Sequence, residues 1–533
     1  MSILLRAYRD NVIDSFIADF ANTSSNVYYI ALSGITAHTD PDDSSVDDNN
    51  PPTESSDLEN FFYKTHRELI LGKAVFPSDV RKMIRRYNWS SNTIYRQYDD
   101  QDKLMLSNTN GYYVITDDNN VYKCLFNGYG IPSTQKPTGT NPEPFYTTDN
   151  ANTGIGYRWQ YMYSIDTDTF NDFATTDFIP INTFEDGGTI YGDANVVSEA
   201  VNGSIETILL TTNGAGYSAY VNGTVVSTTS ANVVLSFDDE KSGVTDENGS
   251  LVNNAIYITS GSGSGQIRAI TAYQANNKTI TTNNAFSNLD GTSVFTISPL
   301  VSIEGDGSGA LAYSTVDSSS NTINNIRIIN RGSNYSFANV TIETNTAFRT
   351  ADAAARIVKS PPGGHGSDTA VELGSQHVQI FKQFSGPVDS TLPTDISFRK
   401  VALLKNLTHE GGDLYYNDTF VHLTKFGVSA TGVSTPSIPA GHQVSTATGN
   451  GTVAFANSTL IRLANTNGSF SNGQEILSAN AQINRAYQIN ISSSSLVVGD
   501  VKRFSGEVLY YQNVTATDRD ASQTENLRLI IKA

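Results

Sequence analysis

Short segments in which apolar and polar residues alternate recur along this chain, and such alternation predicts β-strands. The clearest internal example is residues 157–165, and residues 505–513 and 523–531 repeat the pattern near the C-terminus. Chain ends are usually poorly ordered, so the alternation there predicts that the last residues are built into a sheet. A continuous apolar run at 401–404 predicts a further strand, at 396–406, that is buried on both faces.

Helical periodicity is limited to the N-terminal part of the chain. Residues 61–84 are predicted to be helical, with a break at Pro77 and a restart capped by Ser78. Residues 4–20 predict an amphipathic helix whose apolar stripe consists of Leu5, Tyr8, Val12, Phe16 and Phe20. The predicted fold class is therefore mainly β (α+β) and multidomain, with antiparallel β-sandwich or barrel-like modules and a few helices near the N-terminus.

Length and composition divide the chain into modules. At 533 residues it is too long for one ordinary core. Asn, Thr, Ser and Gly dominate from 186 to 358, where residues 205–217 recur as residues 323–335. The predicted organisation is an N-terminal α+β part of the core at 1–185, an inserted all-β module with the internal repeat at 186–358, a β continuation of the core at 359–434, a small inserted β module at 435–499, and C-terminal strands completing the core at 500–533.

The acidic composition narrows the range of partners. Asp and Glu outnumber Lys and Arg by 53 to 34, which gives a net charge of −19. Because nucleic-acid binding needs clustered Lys and Arg, we expect no nucleic-acid partner. Charged residues make up only 16% of the chain, and Asn, Ser, Thr and Gly replace them. This mixture is common in extended β proteins whose uncharged polar surfaces pack against neighbours.

The lack of a signal-peptide pattern and the single cysteine predict folding in a reducing cytoplasm. The apolar run in residues 1–6 is too short for a signal peptide. No stretch approaches ~20 apolar residues, so no membrane span is expected. Cys124 is the only cysteine, which excludes an intramolecular disulfide. We expect it to be a small buried residue of a strand at 121–126.

Residues 40–59 form the most acidic segment of the chain. They include eight acidic residues, three prolines and no Lys or Arg. This composition predicts a solvated, mobile loop. A metal-binding loop is the alternative, but its carboxylates show no ligand periodicity.

No residue pattern in the chain predicts catalysis. The seven histidines form no HxH or HExxH motif, and the chain contains no GxSxG. The glycine-rich runs at 261–265, 305–309 and 361–366 lack a phosphate-loop lysine and are interpreted as tight turns. His365, which lies between glycines, is expected to bond to the backbone of its turn. We therefore predict a protein that is not an enzyme and has no metal or cofactor, with a tail-associated glycosidase or esterase as the enzymatic alternative.

The strand at 157–165 carries an unusual number of aromatic residues. Tyr157, Trp159, Tyr161 and Tyr163 occupy alternate positions, which predicts one aromatic face packed on a core or on a subunit. Sugar binding by the same rings is the alternative.

Several of these segments together resemble the baseplate wedge subunit 8 family of T-even-like contractile-tailed bacteriophages. In order, they are an N-terminal helix with the strand at 27–32, residues 72–89, residues 157–165, residues 398–406, and an SGE…QTE terminus. The signature residues are Trp89, Tyr157, Trp159, Phe398, Arg399, Ser505, Gly506, Glu507, Gln523, Thr524 and Glu525.

The resemblance covers residues 1–185, 360–430 and 500–533 and has two departures. Residues 33–36 replace a Gly-Arg element of the family, and Val514 stands where an arginine commonly follows Asn. Contacts made by those two family elements are therefore not transferred to this chain.

The resemblance implies a structural subunit of the phage tail baseplate wedge, made and assembled in the host bacterial cytoplasm. Family members act as a homodimer within the wedge and touch wedge subunits of the six, seven and ten type. The implied task is to join neighbouring wedge proteins and to follow the baseplate rearrangement during tail contraction. The main alternative is a tail-fibre or host-adsorption protein that binds cell-surface glycans.

Overall fold

A computed structural model describes residues 6–22, 24–40, 42–54, 58–102, 111–149, 156–185, 189–389, 391–430, 438–478, 487–490 and 496–532. The chain divides into two compact units. Unit 1 combines residues 1–83 with residues 376–533, and unit 2 is residues 84–375. The predicted fold class is confirmed, because antiparallel strands dominate both units and helices are few and short.

The N-terminal part of unit 1 contains two helices and three strands, the third of which crosses into unit 2. They are α1 Arg6–Ala21, β1 Tyr28–Ser33, α2 Leu58–Arg67, β2 Leu69–Val75 and β3 Val80–Arg85, with a single 3-10 turn at Pro77–Asp79.

Unit 2 holds eighteen strands and three short helices within its described residues. In chain order they are β4 Tyr113–Ile115, β5 Asn120–Phe126, β6 Phe145–Tyr146, β7 Arg158–Ser164, α3 Thr167–Phe173, β8 Phe178–Pro180, β9 Thr183–Glu185, β10 Thr189–Tyr191, α4 Ala194–Ser198, β11 Ile205–Thr212, β12 Val221–Thr229, β13 Asn232–Phe237, β14 Asn254–Ser260, β15 Ile267–Gln274, β16 Thr279–Thr282, β17 Val294–Gly305, β18 Ser308–Asp317, β19 Thr322–Ser333, β20 Ala338–Glu343, β21 Ala354–Lys359 and α5 Thr369–Leu373.

The chain then returns to unit 1 and adds only strands among the residues described there. These are β22 His377–Ser385, β23 Ile396–Lys405, β24 Thr419–Val421, β25 Thr424–Ala430, β26 Gln443–Ser445, β27 Gly449–Ala456, β28 Leu460–Gly468, β29 Glu475–Ser478, β30 Tyr487–Ile489, β31 Glu507–Arg519 and β32 Thr524–Lys532.

A five-stranded sheet with the order β24-β2-β1-β23-β31 forms the centre of unit 1. Its middle strand β1 is buried along its whole length. Tyr28, Ile30 and Leu32 face a core shared with α1, and Tyr29 and Ala31 face a second core on the other side. The neighbouring strand β23 confirms the prediction of a strand at 396–406, and residues 401–404 of it are buried.

The predicted helix at 61–84 is wrong beyond Arg67. Residues 69–75 form β2, which pairs with β1 on one side and with β24 on the other. The apolar run of this segment therefore fills a central strand position, and pairing on both sides outweighs local helical periodicity. Ser78 lies inside a 3-10 turn and caps no helix.

The N-terminal helix α1 exists as predicted, and its buried stripe keeps Phe16 and Phe20 but contains Ile13 in place of Val12. Ile13 and Phe20 are buried, and Phe16 and Ile17 pack at the edge of the same core. Val12, which was assigned to the buried face, is 45% exposed. The side chains of Leu5 and Tyr8 lie outside the described residues.

Each unit also contains six strands that pair in a closed ring. In unit 1 the order is β25-β28-β27-β26-β29-β30. In unit 2 the order is β12-β13-β16-β15-β14-β17, and pairing of Val221 with Ile297 closes the ring between β12 and β17. These rings are the barrel-like modules that the sequence predicts, and their apolar alternate positions fill the interiors.

The internal repeat is visible as two equivalent turns in unit 2. Tyr217 and Tyr335 are both buried in one core. The Tyr217 backbone N–H donates to the Asn321 carbonyl (2.8 Å), and the Tyr335 N–H donates to the Gly203 carbonyl (3.0 Å). Each turn thus binds the residue that lies two positions before the first isoleucine of the other copy.

A strand in the first part of the predicted inserted module pairs with the strand at its C-terminal end. Strand β11 pairs with β21, with Ile205 opposite Lys359. Adjacent ends are expected of a tolerated insertion, but residues 84–185 belong to the same compact unit. That residues 186–358 fold independently stays a prediction.

None of the helices within the described residues is long and apolar enough to span a membrane.

Candidate functional site

The SGE signature forms the turn that leads into β31. The Ser505 hydroxyl donates to the Lys502 carbonyl (2.6 Å) and accepts the Thr408 N–H (3.1 Å). Gly506 has φ +69°, and a Cβ there would lie 2.4 Å from the Lys405 carbonyl oxygen. Glu507 is exposed and begins the strand. The motif is therefore conformational, because its glycine combines a left-handed backbone with a close approach.

We expect Gly506→Ala to destabilise unit 1 by about 2 kcal/mol, since the added methyl group is strained by the backbone and meets a carbonyl. Urea unfolding monitored by far-UV circular dichroism measures the change. Gly411→Ala is the matched control, because a Cβ at Gly411 meets nothing within 4 Å. Equal unfolding midpoints for the two variants would contradict the role assigned to Gly506.

The QTE signature connects β31 to β32. The Gln523 carbonyl accepts the Gly386 N–H (2.8 Å), and Thr524 begins β32. Glu525 binds the buried guanidinium of Arg519 at 2.8 Å. Burial raises the pKa of the Glu525 carboxyl, and the Arg519 charge opposes that rise. The signature therefore joins the last two strands through one shielded ion pair.

Phe398 and Arg399 sit on β23, and Arg399 organises the acidic loop. Phe398 is buried, whereas the Arg399 guanidinium holds both carboxylate oxygens of Asp48 at 2.7 Å. This bidentate bond outweighs the effect of burial and lowers the pKa of Asp48 to about 2. The Asp48 carbonyl accepts the Ala516 N–H of β31, and Glu54 accepts the Asn513 N–H.

Most of the described residues at 40–54 are exposed, as predicted for a solvated loop, but Asp48 and Glu54 attach the loop to β23 and β31. Asp48 and Glu54 hold the loop along the outer edge of β31, where unpaired backbone groups need a cover.

Trp89, Tyr157 and Trp159 lie in unit 2 and are core or near-core residues. Tyr157 and Trp159 are fully buried and stack with ring centroids 5.3 Å apart. Trp89 is partly buried, and its indole N–H donates to the Ser133 hydroxyl (3.2 Å). The predicted core packing of the aromatic strand is confirmed. The sugar-binding alternative fails for Tyr157 and Trp159 because these rings are closed off from solvent.

The aromatic strand has two buried faces and not one. Tyr157, Trp159 and Tyr161 belong to a cluster with Cys124, whereas Tyr163 belongs to a second cluster. Register shifts in the pairing of β5 with β7 accompany this change. Cys124 is a buried free thiol, as predicted.

A buried ionic cluster in unit 2 was missed at the sequence level. The Lys123 ammonium on β5 contacts the Glu372 carboxylate on α5 and lies 2.8 Å from His365 Nδ1. His365 Nδ1 is 2.5 Å from the same carboxylate, and the Gly366 N–H donates to its other oxygen at 2.7 Å. The prediction that His365 bonds to the backbone of its turn is therefore wrong. The ring bonds instead to the buried side chains of Lys123 and Glu372.

The pKa values of Lys123, His365 and Glu372 are all lowered, although the dominant cause differs between them. Burial lowers the pKa of Lys123 to about 8, against the opposing effect of Glu372. Burial alone would raise the pKa of Glu372, but the charges of Lys123 and His365 prevail and lower it to about 2. The Tyr98 ring, with its centroid 3.5 Å from the ammonium, adds a cation–π contact.

A second buried pair links β7 to β11. Arg158 Nη1 lies 3.0 Å from a Glu206 carboxylate oxygen, and the Ser204 hydroxyl donates to the other oxygen. The sequence did contain one signal for these clusters. Lys123 and Glu206 are charged residues within strands whose other residues are uncharged. The side chains of both clusters are almost fully buried, so no substrate reaches them in this conformation. Their role is to connect β5 with α5 and β7 with β11.

Two buried histidines of unit 1 make its stability sensitive to acid. Burial, with a contribution from the Arg503 charge, lowers the pKa of His66 to about 4 and that of His422 to about 3. An unfolded chain titrates its histidines near 6.5. Between the folded-state and unfolded-state pKa values the unfolded chain binds more protons than the folded one. The free energy of unfolding of unit 1 is therefore highest above pH ~6.5 and falls as the pH decreases towards about 4.

We expect His66 to account for about 3 kcal/mol of this loss. Urea unfolding at a series of pH values, on wild type and His66→Leu, measures it. The exposed His409 provides the control variant His409→Gln. An unchanged pH dependence in His66→Leu would show that the acid sensitivity arises elsewhere.

Comparison with models of protein families and with curated protein sequences finds no match. The resemblance to the wedge subunit 8 family therefore rests on the sequence motifs, whose residues form two separate groups, one in each unit.

Proposed function

We propose that this protein is a structural subunit of a phage tail baseplate wedge, which joins neighbouring wedge proteins and follows the baseplate rearrangement during contraction. The observation that carries the proposal is the placement of the signature residues. Gly506 shapes a turn, Phe398 and Trp159 fill cores, and Arg399 and Glu525 form shielded ion pairs. The signature residues thus act through a turn, core packing and ion pairs. Such contributions support a mechanical role better than a catalytic one.

The C-terminal strands give a physical basis for that role. Strand β31 extends the five-stranded sheet by pairing with β23, and β32 pairs with β22 in another sheet. One short connection therefore links the sheet of β31 to the sheet of β32, and the Arg519–Glu525 pair braces it. A force on either sheet passes through backbone hydrogen-bond ladders to the other.

The proposed partners are a second copy within the wedge and wedge subunits of the six, seven and ten type, in the tail baseplate of the virion. Cross-linking mass spectrometry on intact virions tests this. We expect cross-links to other wedge proteins and between two copies of this chain. Cross-links confined to fibre tips would favour the host-adsorption alternative, and cross-links to the capsid would exclude both.

We also propose that the protein has no catalytic activity and carries no metal or cofactor. Elemental analysis and a glycan-hydrolysis screen of the purified protein test this. Stoichiometric metal or measurable turnover would end the purely structural interpretation.

A further inference from the structure

A polar cleft of about 710 Å³ opens within unit 1. Its walls come from the loop after β1, the last turn of α2, strand β23, the six-stranded ring and β31. Amide and hydroxyl side chains predominate in the part formed by the ring and β31, namely Gln443, Thr452, Asn465, Tyr511 and Asn513.

The α2 side of this cleft carries two exposed positive side chains. Lys64 and Arg67 are exposed on the last turn of α2 and line the cleft. Neither has a carboxylate within ion-pair distance among the described residues. Lys400 differs, because its ammonium lies 3.3 Å from Glu68, which also accepts the Thr36 hydroxyl. The acidic residues Asp40 and Asp42 line the cleft from the loop and not from the helix.

A third cation, Arg503, does not line the cleft itself but contacts the lining residue Asn465, and the charge of Arg67 acts on it. Its Nη1 is 3.4 Å from the Asn465 side-chain oxygen, and its Nη2 is 3.4 Å from the Thr466 hydroxyl, both at the long end of hydrogen bonding. Its Nε has no acceptor within the part of the chain that the structure describes. Glu410, whose charge acts on Arg503, is exposed and makes no ion pair with it.

The neighbouring buried histidine His66 likewise lacks hydrogen-bond partners within the described part of the chain. Both ring nitrogens of His66 lack a hydrogen-bond partner among the described residues, whereas the ring of His422 interacts with the backbone of Val501. Buried polar groups are normally paired, so the unmatched nitrogens of His66 and of Arg503 mark a corner suited to a polar ligand. The positive charge of Arg503 also acts on both rings.

We propose that Lys64 and Arg67 bind an oxyanion, either a carboxylate or a phosphate group, at the α2 side of the cleft, where the charge of Arg503 adds to theirs. Guanidinium groups match the paired oxygens of such anions, and a lysine adds a mobile charge. The chain has a net charge of −19 and repels free anions at long range. Binding must therefore come from these specific contacts. The site is independent of the proposed wedge function.

Calorimetric titration of the purified full chain tests this site with two probes, inorganic phosphate and a peptide rich in Asp and Glu. Saturable binding of phosphate identifies a free anion as the ligand. Binding of the peptide alone identifies an acidic segment of a neighbouring protein. In either case we expect roughly tenfold weaker binding for each cation removed, in Lys64→Gln and in Arg67→Gln.

Both substituted side chains are exposed, so the variants are expected to fold, and a thermal melt checks this. Lys502→Gln is the control, because Lys502 is exposed and does not line the cleft. As a second readout, the bound anion should raise the pKa of His66, measured by NMR. No saturable binding of either probe, or undiminished binding by the double variant Lys64→Gln/Arg67→Gln, would overturn the proposal.

Discussion

A chain that ends after Ser522 is expected to lose the cooperative folding of unit 1. Strand β32 pairs with β22 over nine successive positions, from Thr524 opposite Ser385 to Lys532 opposite His377. Leu529 is buried, and Leu527 and Ile531 pack against the same core. Burial of such side chains contributes up to ~1.5–3 kcal/mol each, compared with a net stability of ~5–15 kcal/mol for a whole domain.

The truncation has two further costs. It leaves the buried Arg519 guanidinium without its Glu525 partner, which is expensive for an enclosed charge. It also exposes the edge of β22, whose free backbone groups promote aggregation.

Expression yield, gel filtration and a thermal melt measure the effect of the truncation. A chain that ends after Ile531 is the control, since it keeps Leu527, Leu529 and Ile531 and should melt like wild type. A truncated protein that stays soluble and melts normally would show that β32 is dispensable.

Glu372→Leu is expected to destabilise unit 2 by about 3–5 kcal/mol, because it leaves the Lys123 ammonium buried without a carboxylate. Lys123 is fully buried and Glu372 almost so, which leaves little solvent to compensate. The double variant Lys123→Met/Glu372→Leu should recover most of the loss, since it removes both charges and keeps apolar volume.

Chemical unfolding of the four proteins in this cycle yields the coupling free energy between the two positions. Lys136→Met is the matched control, because Lys136 pairs with the exposed carboxylates Asp117 and Asp118. Exposed ion pairs contribute only ~0–1 kcal/mol. A Glu372→Leu effect as small as that of the control would mean that water or another group satisfies Lys123.

The sequence alone was enough to predict three sets of strands, which are the strand at 157–165, the strand at 396–406 and the C-terminal strands. Their signals are local, because a two-residue period or an unbroken apolar run reflects the faces of one strand. The burial of Cys124 and the repeat of residues 205–217 at 323–335 are likewise properties of short segments. The residues of the SGE and QTE motifs could be selected in the same way, although their contacts could not.

The segment 69–75 and the ionic cluster depended on partners that are distant in the sequence. Whether residues 69–75 become helix or strand is set by pairing with β1 and with β24, some 350 positions later. Lys123 and Glu372 are separated by 249 positions, and no local pattern indicates that they meet.

The sequence by itself therefore determined the β character of this protein, its barrel-like modules and its strand-forming C-terminus, because these follow from the alternation of apolar and polar side chains. Only the tertiary structure decided which strands pair, where Arg399 places the acidic loop, and which buried charges meet. The physical reason is that pairing and charge neutralisation depend on the distance between residues in space, whereas periodicity depends only on neighbours along the chain.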